Sequence, residues 1–205
     1  MIAGSPIDCP IKVRALLEMA TNAVIMLGTM FLAALANAGP GADVPEPPGL
    51  WIGAMHGQTP NVLSGAVVVD LAGVAALLAE KPLLLDVGPA ARKPENFPND
   101  RPWLPIHRSI PNAVWMPGAG SAPLDAGREQ LFYRRIEELT YGDKAKPIVV
   151  FCRPQCWGGW NAGKRLVSKG YTGVRWFPAG TDGWQEQRDT AAVEPDTEWI
   201  AELPQ

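Results

Sequence analysis

Two cysteines four positions apart, Cys152 and Cys156, sit in the run Cys152-Arg153-Pro154-Gln155-Cys156-Trp157. A thiolate is a nucleophile and can also be captured by a neighbouring thiol, so this spacing offers nucleophilic sulfur chemistry or thiol–disulfide exchange. The preceding residues, Ile148-Val149-Val150-Phe151, form the clearest strand pattern in the chain. Gly158-Gly159 and a helical pattern through Ala162, Leu166 and Val167 follow, with Gly170 placed to cap it. Cys152 is therefore expected at the carboxyl end of a strand, in a tight turn that opens onto a helix N-terminus. Backbone amides of residues 153 to 158, aided by Arg153, would there hold an anion and favour a thiolate. A plain structural disulfide is the alternative, although so short a ring restrains the unfolded chain weakly.

The surrounding elements must place that turn at the edge of a sheet. Ala66-Val67-Val68-Val69 reads as a short buried strand, followed by a helix carrying Leu71, Val74, Ala75, Leu77 and Leu78. Leu83-Leu84-Leu85-Asp86-Val87 is a second buried strand, Ala113 to Met116 a third, and Val174 to Phe177 the last. A helix runs through Arg128 to Thr140, with Leu131, Ile136 and Leu139 on its apolar stripe. Nine prolines between Pro82 and Pro123 make most of residues 88 to 111 loop, because proline brings no amide donor to a ladder. Apolar strands alternating with helices predict an α/β fold, an open parallel sheet with helices on both faces. In such sheets ligands bind beyond the carboxyl ends of the strands, where Cys152 falls.

The chain has 205 residues with a net charge of -3, and no basic surplus for binding nucleic acid. Gly and Pro each number 21, yet 47% hydrophobic content is far too high for a disordered chain. Residues 1 to 38 read as a signal peptide: Lys12 and Arg14, then an apolar stretch from Ala23 to Ala36, then Ala36-Asn37-Ala38. Cleavage after Ala38 predicts a periplasmic protein with no membrane segment, since the apolar stretch is short for a span. Cleavage also removes Cys9, leaving Cys152 and Cys156 as the only cysteines in an oxidising compartment. Residues 39–64 then form an irregular lead-in, 65–187 a single folded domain and 188–205 a C-terminal tail.

Four segments, in order, resemble the rhodanese-like (thiosulfate sulfurtransferase) domains. These are Leu83-Leu84-Leu85-Asp86-Val87, Ile110-Pro111-Asn112-Ala113-Val114-Trp115-Met116-Pro117, Val149-Val150-Phe151-Cys152, and Val174 to Trp184 with its Gly180 and Gly183 turn. A narrower group is similar too, the exported PQQ-dependent catabolism-associated CXXCW motif proteins. That likeness rests on Cys152 to Trp157, Trp160-Asn161-Ala162, Lys164-Arg165 and Gly180-Thr181-Asp182-Gly183-Trp184, although three residues separate the cysteines here. The resemblance implies a rhodanese-like fold in the periplasm, beside quinoprotein alcohol dehydrogenases that carry pyrroloquinoline quinone. The chain departs from ordinary sulfurtransferases, whose cysteine is followed by x-x-Gly-x-Arg-Ser. Cys156, Trp157 and Gly159 occupy that stretch, and Gly88 stands where an Arg commonly follows Asp-Val. Thiosulfate recognition is thereby altered, and a resolving thiol is gained.

Two functions stay open at this point. In the first, Cys152 is the nucleophile of a sulfurtransferase or dithiol oxidoreductase, carrying a transient persulfide and needing no tightly bound cofactor. Cys156 resolves it, while Arg153, Pro154, Gln155, Trp157, Gly158, Gly159 and Trp160 bind a small sulfur or thiol substrate. In the second, the loop is locked by a disulfide, and an aromatic rim of Trp157 and Trp160 docks on a quinoprotein dehydrogenase system. A soft-metal variant would recruit His56 or His107, both otherwise expected to be surface residues. Asp86 is expected to support the loop amides. Lys164 and Arg165 would add positive potential at the mouth, and Trp51, Trp103 and Trp199 would cover the sheet or the loop.

Overall fold

The structure is a computed structural model that describes residues 1, 44–98, 100–101 and 105–201. The expected signal peptide ending at Ala38 and the expected cover residue Trp103 lie outside the described residues. One compact unit spans Asp43–Gln205.

Its elements, in order, are β1 (Val67–Val68), α1 (Leu71–Leu77), β2 (Leu83–Asp86), β3 (His107–Ser109), β4 (Val114–Trp115) and α2 (Ala126–Thr140). β5 (Ile148–Phe151), α3 (Trp157–Ser168), β6 (Val174–Phe177), α4 (Gly180–Gln185), β7 (Ala191–Val193) and α5 (Thr197–Ala201) follow among the described residues. Five strands form one parallel sheet in the order β1-β6-β5-β2-β4. β3 and β7 pair antiparallel as a separate ribbon.

β5 and β2, at the centre of the sheet, are buried along their whole length because both faces are covered. Side-chain alternation divides them between two cores. Leu83, Leu85, Ile148, Val150, Val174 and Trp176 pack beneath α2 and α3, where Phe132, Ile136, Trp160 and Leu166 meet them. Leu84, Val149, Phe151 and Phe177 point the other way, onto Val74 of α1 and Trp184 of α4. Side-chain caps start two of the helices: Asp70 accepts from the Gly73 amide at 2.8 Å, and Asp125 from the Arg128 amide at 2.9 Å.

Three expectations are corrected. β1 is an exposed edge strand rather than a buried one, because it pairs on one side only, with Val67 52% exposed. The Gly-rich segment after β6 forms α4 instead of an open turn. The Pro-rich stretch is mostly loop, as expected, yet it contains β3, whose pairing strand β7 lies in the C-terminal tail. That tail also supplies Trp199, buried against Phe132 and donating from its indole nitrogen to Pro117 O at 3.0 Å.

Candidate active site

β5 ends at Phe151 and delivers Cys152 to the sheet's carboxyl edge. Residues 153 to 155 turn the chain, and Cys156 becomes the N-cap of α3. The two cysteines are joined as a disulfide, with their Cα atoms 6.2 Å apart. The loop fits one geometry closely. The Cys152 carbonyl accepts from the Thr181 amide at 3.0 Å and from its hydroxyl at 3.3 Å. Gly180, at φ +54°, passes so near that carbonyl that a Cβ would collide with it, so only glycine fits. Gln155 turns the loop with φ +53°. The amides of Arg153, Gln155 and Cys156 take no partner among the described residues, which leaves donors for an anion.

Cys152 is only 3% exposed and belongs to the larger core, while Cys156 is partly accessible. The thiol expected to be the open nucleophile is thus the covered half of the bridge. Two cavities flank it. One, of 650 Å³, is lined by Cys152, Asp86, Arg92, His107, Thr181 and Gln185, among others. The other, of 290 Å³, is lined by Cys156, Met55, Val87, Pro89, Pro154 and Gly158, among others, and shares Met55, Pro89, Ser121, Arg153 and Asp182 with the first. Arg153 borders both, and its guanidinium has no hydrogen bond or ion pair among the described residues.

The lead-in forms a strap over this loop. His56 and Cys156 pair as an isolated antiparallel bridge. The Gly57 amide donates to Gln155 O at 2.8 Å, and the Trp157 amide donates to Met55 O at 2.9 Å. The Trp157 amide, one of the expected anion donors, is therefore engaged. Trp51 stacks on Trp157 with centroids 4.4 Å apart and planes 13° from parallel. Asn161 fixes the strap by accepting from the Trp51 amide at 2.8 Å and donating to Trp51 O at 2.9 Å.

This packing corrects the expected aromatic rim: Trp157 and Trp160 are 2% and 0% exposed, so neither offers a face to a planar partner. Gly158 and Gly159 are likewise buried in the first turn of α3, with Gly158 forming cavity wall. Lys164 is paired with Glu46 at 2.7 Å rather than lying open at the mouth. Arg165 is buried, donating to Ala119 O at 3.3 Å and Ser121 O at 2.7 Å, and burial pushes its guanidinium below the usual value. Both basic residues fasten structure. Glu46 is pushed up by partial burial, but hydrogen bonds from Lys164 and Ser64 outweigh this and hold its carboxyl below the ordinary 4.5.

Asp86 accepts from the Gly88 amide at 2.7 Å, in the segment that follows β2 rather than in the Cys152–Cys156 loop. It also holds His107 Nε2 at 2.8 Å and the Ser109 hydroxyl at 2.6 Å, contacts the sequence did not suggest. His107 stacks on Trp115, centroids 3.8 Å apart, and lines the Cys152 cavity, so it is no plain surface residue. Among the described residues no three His, Cys, Asp or Glu side chains converge as a metal ion would require.

The rhodanese-like domain model matches residues 71–187. The chain belongs to the rhodanese-like domain family. Solved structures similar to this rhodanese-like protein include the rhodanese-like domain of an Anabaena sp. protein. It is 20% identical, with 61% of this chain and 78% of that chain covered and a TM-score of 0.40. A thiosulfate sulfurtransferase from Pseudomonas aeruginosa is 20% identical over 63% of this chain, at a TM-score of 0.42. The match spans 21% of that enzyme's own chain. A human single-domain sulfurtransferase is 21% identical, with 60% of this chain and 99% of that chain covered and a TM-score of 0.39. No curated protein matches. The strap lies outside the span that the family model covers.

Proposed function

We propose that this rhodanese-like protein couples sulfur transfer to thiol–disulfide exchange, using Cys152 and Cys156 on a small sulfur or thiol substrate. The observation that carries the reading is the bond between the two sulfurs, in a loop with unpartnered amides flanked by two cavities. In the reduced protein the Cys152 thiolate attacks the outer sulfur of a sulfane donor. A Cys152 Sγ–S bond forms, and the remainder of the donor leaves as its anion. The Cys156 thiolate then attacks Cys152 Sγ, the persulfide bond breaks, and hydrosulfide departs. The two thiolates are oxidised to the disulfide, and the sulfane sulfur receives both electrons. The resting pair is thus the product state of one turnover.

Export with cleavage after Ala38, a periplasmic location and work beside a PQQ-dependent dehydrogenase system belong to the same proposal. They rest on the signal-like residues 1–38 and on the likeness of the Cys152 to Trp157 loop to the CXXCW motif proteins. The engaged strap favours one rival, a non-catalytic accessory module in which the bridge is purely structural.

The test is to reduce the protein, add thiosulfate or a thiosulfonate, and follow hydrosulfide release and intact mass. The parent should release one hydrosulfide per disulfide formed. Cys152→Ser should release none, and Cys156→Ser should hold a persulfide on Cys152. A bridge that resists reductant in the folded protein, with no sulfide from any form, would establish the accessory reading instead.

A further inference from the structure

The two cavities adjoin, sharing Met55, Pro89, Ser121, Arg153 and Asp182, yet Cys156 lines only the 290 Å³ one and Cys152 only the 650 Å³ one, and this asymmetry assigns a direction to the bridge's reduction. We infer that a low-molecular-mass thiol with an uncharged chain reopens the bridge by attacking Cys156 Sγ from the 290 Å³ chamber under the strap. The inference rests on the dithiol chemistry proposed above and adds the attacked atom, the entry route and the thiol class.

Exchange at a disulfide depends on access to the sulfur attacked and on how well the other sulfur leaves. Cys152 is 3% exposed within the core, whereas Cys156 is partly accessible and forms chamber wall. The leaving side is suited to its task. Cys152 borders the second chamber, of 650 Å³, which Arg153 also lines, with no ion pair or hydrogen bond of its own among the described residues. An incoming thiolate forms a bond to Cys156 Sγ as the bond to Cys152 breaks, and Cys152 departs as a thiolate beside the chamber that Arg153 lines. A second thiolate attacks the ligand sulfur of the mixed disulfide and releases the external disulfide and the Cys156 thiolate. Two external thiols are oxidised, two cysteines are reduced, and the two thiol protons pass to solvent or to the cysteines.

The chamber walls set the thiol class. Met55, Val87, Pro89 and Pro154 are apolar, and the two charged lining residues, Arg153 and Asp182, are of opposite sign. Its volume is at the small end for a ligand site, where molecules of modest size fit. Met55 and His56 of the strap form part of that wall beside Cys156, which favours a small molecule over a second protein as the attacking thiol.

The experiment uses the oxidised protein and 2-mercaptoethanol, with acid quenching early in the reaction, alkylation and peptide mapping. Mercaptoethanol on Cys156 with the alkyl label on Cys152 is expected, in roughly tenfold excess over the reverse. Mercaptoethanol on Cys152 would overturn the inference and leave the dithiol chemistry standing. As a second arm, 2-mercaptoethanesulfonate should open the parent bridge several-fold more slowly than mercaptoethanol per thiolate. Pro154→Lys, at an exposed position that lines the 290 Å³ chamber and not the other, should abolish or reverse that preference. An unchanged preference would place the entry route elsewhere and overturn the inference. A bridge opened only by a thioredoxin-like protein would also overturn it, leaving exchange chemistry intact. A folded protein inert to every reductant would overturn both this inference and the function proposed above.

Discussion

Asp86 shows how much chemistry one buried carboxylate can organise. Its two oxygens receive the Gly88 amide, His107 Nε2 and the Ser109 hydroxyl, so a 0% exposed charge is nearly saturated with donors. Removing one donor leaves the carboxylate short of a partner, which typically costs about 1–3 kcal/mol. His107→Ala should therefore destabilise the protein by an amount in that range, read from urea unfolding. In an Asp86→Asn background the same change should cost less, with a coupling of about 0.5–3 kcal/mol in the double-mutant cycle. Additive costs would show that the imidazole acts through its stack on Trp115 alone. Asp86 was legible in the sequence because it ends an apolar run. His107 was not: it reaches Asp86 across 21 residues of Pro-rich chain that carry no periodicity.

At the scale of elements, the strap turns an open loop into a covered one. Its grip is a series of backbone and side-chain anchors along residues 46 to 62: the Glu46–Lys164 ion pair, the Trp51–Trp157 stack, the Met55 carbonyl and the Val62 carbonyl that receives Trp160 Nε1. Carbonyls leave no mark in a sequence, which is why these residues read only as an irregular lead-in. β2, β5 and β6, in contrast, announced themselves, since strands buried on both faces must be continuously apolar. β1 misled for the same reason, its valines being apolar at an exposed edge. The Glu46 anchor gives the strap a pH dependence. Its folded pKa lies below the unfolded value of 4.5, so its contribution is fully present above 4.5 and is lost as pH falls through the lower folded value. Exchange of the Ser64 amide, corrected for intrinsic rate, should be unchanged from about pH 7 to 5 and accelerate below 4.5. Glu46→Gln should remove that acid limb. An acid limb that survives the substitution would assign it to another carboxylate.

Over the whole molecule, two readings of the bridge part company on stability. The ring encloses only three residues between its cysteines, and by chain entropy a loop that short contributes about 2 kcal/mol. The rest of the fold does not pass through it. Two cores grip both faces of the sheet, Arg165 ties α3 to Ala119 and Ser121, and Asp196 accepts from Arg135 at 2.8 Å to hold the C-terminal segment on α2. Reduction should accordingly lower the Tm by only about 4–8 °C, because each kcal/mol moves a domain of this size by roughly 2–4 °C. The reduced protein should keep its near-ultraviolet tryptophan signal, with both thiols reacting with alkylating agent while it stays folded. Cys152→Ser and Cys156→Ser should be equally folded by the same measure, since each removes the same small ring. A collapse of the tryptophan signal on reduction would show that the bridge holds the loop and strap together, and the disulfide would then belong to the architecture rather than to turnover.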